Sequence, residues 1–64
     1  AEENRSVIEA VKQLPEKYRV VIPLFYYEEM SVEEIGKATG SRPSTVRTRL
    51  TRARRILKDQ LGGL

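Results

Sequence analysis

Cysteine and histidine are both absent from this 64-residue sequence. Without them the chain can form no disulfide bond and offers no thiolate or imidazole ligand to a metal ion. The same absences remove the residues that most often act as general base or nucleophile. Glu33 and Glu34 do not replace them, because adjacent residues of a helix point in different directions and cannot act together on one substrate. We therefore expect a protein that is not an enzyme and that uses no cofactor and no metal.

Long apolar segments are missing as well. No stretch approaches the ~18 apolar residues that a membrane span needs, and nothing resembles a signal peptide. The chain starts at Ala1 and its single methionine is Met30, so we expect a fragment of a larger protein. Residues 1–64 should form one small domain, in which a core of about a dozen side chains leaves little room for a ligand pocket. Function is then expected on the outer surface.

Acidic residues are scarce in the second half of the chain. Residues 1–34 contain four Lys or Arg and eight Asp or Glu, a net charge of −4. Residues 35–64 contain eight Lys or Arg and a single Asp, a net charge of +7. This division favours a second half that binds phosphate and a first half that stays away from it.

The first half predicts two helices. An apolar stripe at helical spacing indicates a helix over residues 2–13, which Pro15 ends because the residue before a proline is pushed out of the α region. A second helix over residues 15–28 is apolar on nearly all sides, so we expect it to be central. Pro23 lies inside it and costs about 3 kcal/mol in a regular helix. We expect a kink there rather than a break.

Tyr26 and Tyr27 end this second apolar segment. One interpretation is a pair that stacks on nucleic-acid bases. In a very small protein, tyrosines at helical spacing more often belong to the core and keep only the hydroxyl in water. We predict that both are core residues.

A helix, a glycine-bearing turn and a second helix follow. Ser31 and Glu34 have the spacing of a capping box. Gly40 stands where the first of these helices should end, since glycine enters the left-handed region without strain. Pro43 suits the first turn of the next helix, because its missing N–H would have no partner there. Residues 31–57 therefore match the helix-turn-helix pattern, whose second helix enters the major groove of DNA.

The last helix should have two different faces. At about 100° per residue, one apolar stripe contains Val46, Leu50, Ala53 and Leu57, with Ile56 beside it. Hydroxyl and arginine side chains occupy the rest of the surface: Ser44, Arg47, Thr48, Arg49, Thr51, Arg52, Arg54 and Arg55. No acidic residue lies between Gly40 and Lys58, so ion pairs within the helix cannot be the purpose of these arginines. A solvated basic surface is the ordinary interpretation, but we favour contact with nucleic acid.

Two segments carry a family resemblance. LPEKYRVVIPLFYYEEMSVEEIG, at residues 14–36, and STVRTRLTRARRILKDQL, at residues 44–61, resemble region 4 of bacterial sigma factors of the extracytoplasmic-function group. The resemblance covers about residues 7–61. It implies an all-α domain of four helices that docks its recognition helix in the minus-35 element of promoter DNA, in the bacterial cytoplasm. It also implies binding to the β flap of RNA polymerase and occlusion by an anti-sigma factor.

The resemblance also implies which residues face DNA. They are Arg42, Ser44, Thr45, Arg47, Thr48, Arg49, Thr51 and Arg52, and the arginine pattern adds Arg55 to the binding surface. We assign base-edge reading to Arg47 and Arg52, since a guanidinium can bridge O6 and N7 of guanine. Ser44 and Thr45 stand in the first turn, where hydroxyls and backbone N–H groups hold phosphate.

This chain departs from the family pattern at five positions. Thr39 and Ser41 replace residues that are usually apolar, so a less tightly packed turn is expected. Arg42 stands where proline or serine is common, and Ser44 stands where glycine is common. These two differences should alter the promoter bases that the domain prefers. Phe25 replaces a residue that is basic in some members, which removes one backbone contact.

Other functions remain open at this point. The domain could act mainly as a protein-docking module for RNA polymerase or an anti-sigma factor. Such a partner would bind apolar residues of the first half: Val20, Leu24, Tyr27 and Met30. It could also be a different helix-turn-helix regulator, such as the output domain of a response regulator. The Leu-Pro-Glu-Lys-Tyr-Arg segment and the Arg-Ala-Arg run argue against that class.

Overall fold

The computed structural model describes the backbone of residues 2–62 and the side chains of residues 7–62. Its helices are α1 (Glu2–Lys12), α2 (Glu16–Tyr26), α3 (Val32–Thr39) and α4 (Pro43–Gln60). No β-strand occurs within residues 2–62. The all-α, four-helix prediction with a helix-turn-helix is therefore confirmed. The outer limits of the predicted domain, Ala1 and Gly63–Leu64, lie outside the described residues.

Proline residues shape the path of the first two helices. Pro15 precedes α2, and its carbonyl oxygen accepts hydrogen bonds from the N–H groups of Tyr18 and Arg19, at 3.0 and 2.9 Å. Pro23 lies inside α2, yet the helix continues without a break to Tyr26. Because proline has no N–H, only one backbone hydrogen bond of this helix is lost. The helix ends two residues earlier than the predicted limit.

The core lies where α2, α3 and α4 meet, with α1 packed against α2 and α4. Among residues 7–62, nine apolar side chains are buried: Ala10, Leu14, Tyr18, Val21, Ile22, Ile35, Val46, Leu50 and Ala53. The apolar stripe of α4 is thus confirmed, with Ile56 and Leu57 partly buried at its end. Helix α2 contacts every other helix, as its apolar composition predicted. Its burial is nevertheless one-sided, since Val20 is 42% exposed.

The prediction that Tyr26 and Tyr27 belong to the core is wrong. Their side chains are 50% and 67% exposed. The buried face of α2 consists of Tyr18, Val21 and Ile22, and Tyr26 and Tyr27 lie outside that face at the end of the helix. Tyr26 remains anchored on one side, because the ring packs edge-on against Phe25 with 5.1 Å between the ring centroids.

The beginning of α3 is fixed by the predicted capping box. The Ser31 hydroxyl oxygen accepts a hydrogen bond from the Glu34 N–H at 3.1 Å, and the Ser31 N–H donates to Glu34 Oε1 at 2.9 Å. At the other end Gly40 adopts the left-handed conformation, with φ of 72°. Both predicted ends of the helix are confirmed. The hydrogen bonds from Ser31 lower the pKa of the Glu34 carboxyl, the backbone bond contributing most.

Acid should weaken this cap. Because the folded-state pKa of Glu34 lies below the ordinary value of 4.5, its stabilising contribution is complete above that value and is lost as the pH falls through the folded pKa. Replacing Ser31 by alanine removes the hydroxyl but keeps the backbone N–H, so it should raise the pKa of Glu34 only part of the way toward its ordinary value and weaken this pH dependence. An NMR titration of the Glu34 side-chain carbonyl in both forms measures the effect. An unchanged pKa in the variant would contradict it.

The turn between α3 and α4 closes tightly on a glycine that the sequence pattern did not single out. The carbonyl oxygen of Gly36 accepts hydrogen bonds from the N–H groups of Gly40 and Ser41, the latter at 2.8 Å. A Cβ atom at Gly36 would lie 2.5 Å from the backbone oxygen of Ser41. The turn therefore packs more closely than the polar residues at Thr39 and Ser41 led us to expect. The Thr39 hydroxyl is satisfied by the carbonyl of Ile35, at 2.8 Å.

Candidate nucleic-acid interface

The surface of α4 that faces away from the core contains the predicted DNA-binding residues. Its apolar side is buried through Val46, Leu50 and Ala53, which fixes the rotation of the helix about its own axis. Most of the predicted residues are exposed in consequence: Arg42, Ser44, Arg47, Thr48, Thr51, Arg52 and Arg55. Two are half-buried: Thr45 and Arg49. The structure therefore brings the predicted set together on one helix and its first turn.

The first turn of α4 is open to an anion. Arg42 is the residue before the helix, and its side chain makes no capping hydrogen bond. Pro43 has no N–H, and the N–H groups of the next residues in a first turn have no partner within the helix. The hydroxyl of Ser44 and the guanidinium of Arg42 are exposed beside them. This turn can hold a phosphate group through backbone N–H groups, a hydroxyl and a cation.

Thr48 uses its hydroxyl proton within the helix. Its Oγ1 donates to the carbonyl oxygen of Ser44 at 3.1 Å. The hydroxyl oxygen can still accept, so Thr48 could meet an amino group of a base but could not donate to one without giving up this bond.

Three of the α4 arginines are held by other parts of the protein. Arg47 Nη2 lies 3.4 Å from Glu33 Oε2 in α3. Arg49 Nη1 donates to the hydroxyl oxygen of Ser41 in the turn, at 3.1 Å. The third, Arg54, lies over the rings of Phe25 and Tyr26 and donates from Nε to the Tyr26 hydroxyl.

These contacts divide the arginines by function. Arg54, which the sequence placed on the basic surface of the last helix, links α4 to the end of α2. Arg42, Arg52 and Arg55 are exposed, and none makes a hydrogen bond or ion pair to the part of the chain with described side chains. Those three guanidinium groups are available to a ligand with all their N–H donors.

A shallow notch extends this surface beyond the helix-turn-helix. Its volume is about 280 Å³, and Lys17 of α2 faces hydroxyl and arginine residues of α4 across it, among them Ser44, Thr48 and Arg52. Sequence reasoning did not find Lys17, because it lies outside the helix-turn-helix and no local pattern marks it. Folding alone brings this cation to the predicted interface.

An apolar groove lies between α1, α2 and α4, on a surface that shares none of the predicted DNA-binding residues. Its volume is about 430 Å³, and its walls are mainly apolar: Val7, Val11, Ile22, Tyr26, Tyr27, Arg54, Leu57 and Lys58. This groove is open at the surface and lies outside the core, for which little room for a ligand pocket was predicted. Of the predicted docking residues, only Tyr27 lines this groove. Val20 is exposed beside Ala38 and Thr39, and Leu24 and Met30 pack partly against the core.

The described residues offer neither a metal site nor a membrane span. Among the described residues, no group of three acidic side chains is placed to share a metal ion. Across residues 2–62, no helix combines the length and the apolar character that a membrane crossing requires.

Comparison with known proteins gives one consistent result. The family profile described as "Sigma-70, region 4" matches residues 4–57. The RNA polymerase sigma factor SigV of Bacillus subtilis is 42% identical over 53 residues, which are 83% of this chain and 32% of SigV. The ECF RNA polymerase sigma factor SigW of the same organism is 40% identical over 61 residues, which are 95% of this chain and 33% of SigW.

A third relative is more distant. The RNA polymerase sigma factor FliA of Escherichia coli K12 is 36% identical over 61 residues, 95% of this chain and 26% of FliA. The chain thus spans about a third or less of the length of these relatives. No solved structure matches it significantly.

Proposed function

The chain belongs to the sigma-70 region 4 family, and from that premise we propose that it recognises the minus-35 element of bacterial promoters and directs RNA polymerase to them for transcription initiation. This function is non-enzymatic and is exercised in the cytoplasm, where promoter DNA lies. Family membership also removes the alternative of a response-regulator output domain.

The proposal rests mainly on one observation. The exposed face of α4 presents arginine and hydroxyl groups, while its other face is buried in the core. A helix with its side chains is about 10–12 Å wide, close to the ~12 Å width of the major groove. The burial of Val46 and Leu50 prevents α4 from rotating, so Arg47, Thr48 and Arg52 would enter the groove as a fixed set.

The residues divide into positioning and reading groups. Ser44, Thr45 and Arg42 lie at the start of α4 and would hold a phosphate of one strand. Arg47 and Arg52 would read base edges, since two N–H donors of a guanidinium can meet O6 and N7 of one guanine. Thr48 would touch a thymine methyl or a base edge. The remaining predicted residues, Arg49, Thr51 and Arg55, would contact the DNA backbone.

Single truncation of either proposed base reader should relax sequence preference. Arg47→Ala and Arg52→Ala should each reduce discrimination at one base pair by about 1–3 kcal/mol, because one bidentate contact is lost. Competition between duplexes that differ at single base pairs measures this. Lys58→Ala is the matched control, since it removes one positive charge from α4 on the side of the apolar groove. Equal weakening for all sequences in both variants would contradict the base-reading assignment.

The apolar groove favours a second function, docking of a protein partner. We propose that the β flap of RNA polymerase, or an anti-sigma factor in its place, packs an apolar segment into the groove between α1, α2 and α4. The groove is lined by Val11, Tyr27 and Leu57. A hydrophobic groove of this kind can accept the apolar face of an amphipathic helix. Because DNA-facing residues and groove residues do not overlap, promoter DNA and the protein in the groove can bind at the same time.

Loss of the more exposed of the two groove tyrosines should affect this partner alone. Tyr27→Ala removes a side chain that is 67% exposed, so the fold should tolerate it, while the affinity for the β flap should fall by about 1–2 kcal/mol as expected for an aromatic interface residue. Titration calorimetry with the isolated flap and anisotropy with promoter DNA measure the two affinities. Unchanged flap binding with this variant would contradict the assignment of the groove.

A further inference from the structure

One acidic side chain from the acidic half of the chain lies against the basic face of α4. Glu33 Oε2 accepts a hydrogen bond from Arg47 Nη2 at 3.4 Å, and the two residues are separated by 14 positions in the sequence. Their side chains are each 60% exposed. The pair therefore joins the two helices of the helix-turn-helix at its outer surface, beside the residues that would meet DNA.

The position of Glu33 is set by the helix that carries it. Ser31 caps α3 through the capping box with Glu34, which fixes Glu33 in the first turn of that helix. Helix α3 in turn packs on α4 through Ile35, which is fully buried. The carboxylate therefore has a defined place relative to α4, although its own side chain is exposed.

A carboxylate at this place is unfavourable for DNA binding in general. Residues 35–64 carry a net charge of +7, and a negative charge beside them weakens the attraction to phosphate. As a contribution to folding the pair is also small, because ion pairs between exposed side chains add little stability in water. Neither general affinity nor stability accounts for the placement.

The placement of Glu33 is explained better by its effect on the orientation of the Arg47 side chain. A guanidinium has five N–H donors in a planar fork. Glu33 accepts from one N–H of Nη2, and the second N–H of Nη2 can still form a two-donor fork with a neighbouring nitrogen toward a base. Holding a long side chain in one direction before binding reduces the entropy that must be lost when it meets a base.

We propose that Glu33 is a positioning residue that fixes the guanidinium of Arg47 for base reading and so raises sequence discrimination at the cost of general affinity. This inference rests on the proposed function and adds a residue of α3 to the determinants of specificity. Glu33 acts only through Arg47 and makes no contact with DNA itself.

The test is Glu33→Gln, which retains the size of the side chain and removes its charge. Discrimination at the base pair read by Arg47 should fall about 3- to 10-fold, a fraction of the effect of losing the whole contact. Affinity for non-cognate duplex should rise at the same time, because a negative charge leaves the interface. A residue with only a structural role would not move these two quantities in opposite directions.

A double-variant cycle ties the effect to the pair. In the Arg47→Ala background, Glu33→Gln should leave discrimination unchanged, because no guanidinium remains to be oriented. Glu28→Gln is the matched control: Glu28 is exposed outside the helix-turn-helix, and its carboxylate makes no ion pair with the described residues. The control should leave discrimination as it is.

Three results would overturn the proposal. Unchanged discrimination in Glu33→Gln would show that Arg47 needs no partner. A loss of discrimination that persists without Arg47 would show that Glu33 acts by another route. If the wild-type chain showed no sequence preference at all, the proposed function would fail and this inference with it, which separates that outcome from the first two.

Discussion

Gly36→Ala is expected to remove most of the free energy of unfolding of the protein at room temperature. The new Cβ would lie 2.5 Å from the backbone oxygen of Ser41, and a backbone atom cannot move aside as a flexible side chain can. Overpacking of this kind costs about 3 kcal/mol or more. A domain of this size has about 3–5 kcal/mol of net stability to lose. Urea denaturation followed by helical circular dichroism measures the change.

Gly40→Ala is the matched control for this prediction. A Cβ at Gly40 meets no atom within 4 Å, so the penalty comes only from its φ of +72°. Holding alanine in the left-handed region costs about 1–2 kcal/mol. We therefore expect the Gly36 variant to be clearly less stable than the Gly40 variant. Equal stabilities would contradict the close approach of α3 to the turn.

Reversing two charges on α4 should abolish DNA binding. Arg47→Glu combined with Arg52→Glu removes both proposed base contacts, each worth about 1–3 kcal/mol, and places two carboxylates against phosphate. We expect affinity for promoter DNA to fall at least about 100-fold, together with a flatter dependence on salt because fewer counterions are released. Fluorescence anisotropy with labelled duplex at several salt concentrations measures both quantities.

The same double variant should leave protein docking intact. Neither arginine lines the apolar groove, so binding of the polymerase β flap should stay within about twofold of wild type, as expected for an independent site. Thermal unfolding should change little, since both side chains are exposed. Loss of flap binding in parallel with DNA binding would show that the two surfaces are not separate.

Local rules were sufficient for the backbone of the helix-turn-helix. Ser31 and Glu34 cap α3, and Gly40 ends it; these depend on neighbours within a few residues, which a sequence shows directly. The apolar stripe of α4 was readable for the same reason, because helical periodicity fixes which residues share a face.

Features that depend on contacts between helices could not be predicted from the sequence. Tyr26 and Tyr27 follow a strongly apolar segment, yet the packing of α2 against the other helices leaves both exposed. Gly36 has no unusual φ angle, and its importance comes from the close approach of Ser41. Helical spacing alone could place neither, because both depend on where another part of the chain lies.

In the candidate site, too, local sequence predicted some features, while others depend on contacts between helices. Periodicity placed the predicted DNA-binding residues on one helix, but it could not show which arginines are engaged. Arg47 meets Glu33 and Arg54 meets Tyr26 only after folding. Lys17 joins the interface in the same way, from a helix outside the predicted motif. Partners that are distant in the sequence leave no local pattern.

The most direct test of the central claim, that the outer face of α4 enters duplex DNA, is NMR mapping of the labelled chain during titration with a promoter duplex. We predict the largest amide shifts in residues 42–55, with smaller shifts at Lys17 and none in the groove around Val11 and Tyr27. Shifts concentrated in that groove, with α4 unperturbed, would contradict the account.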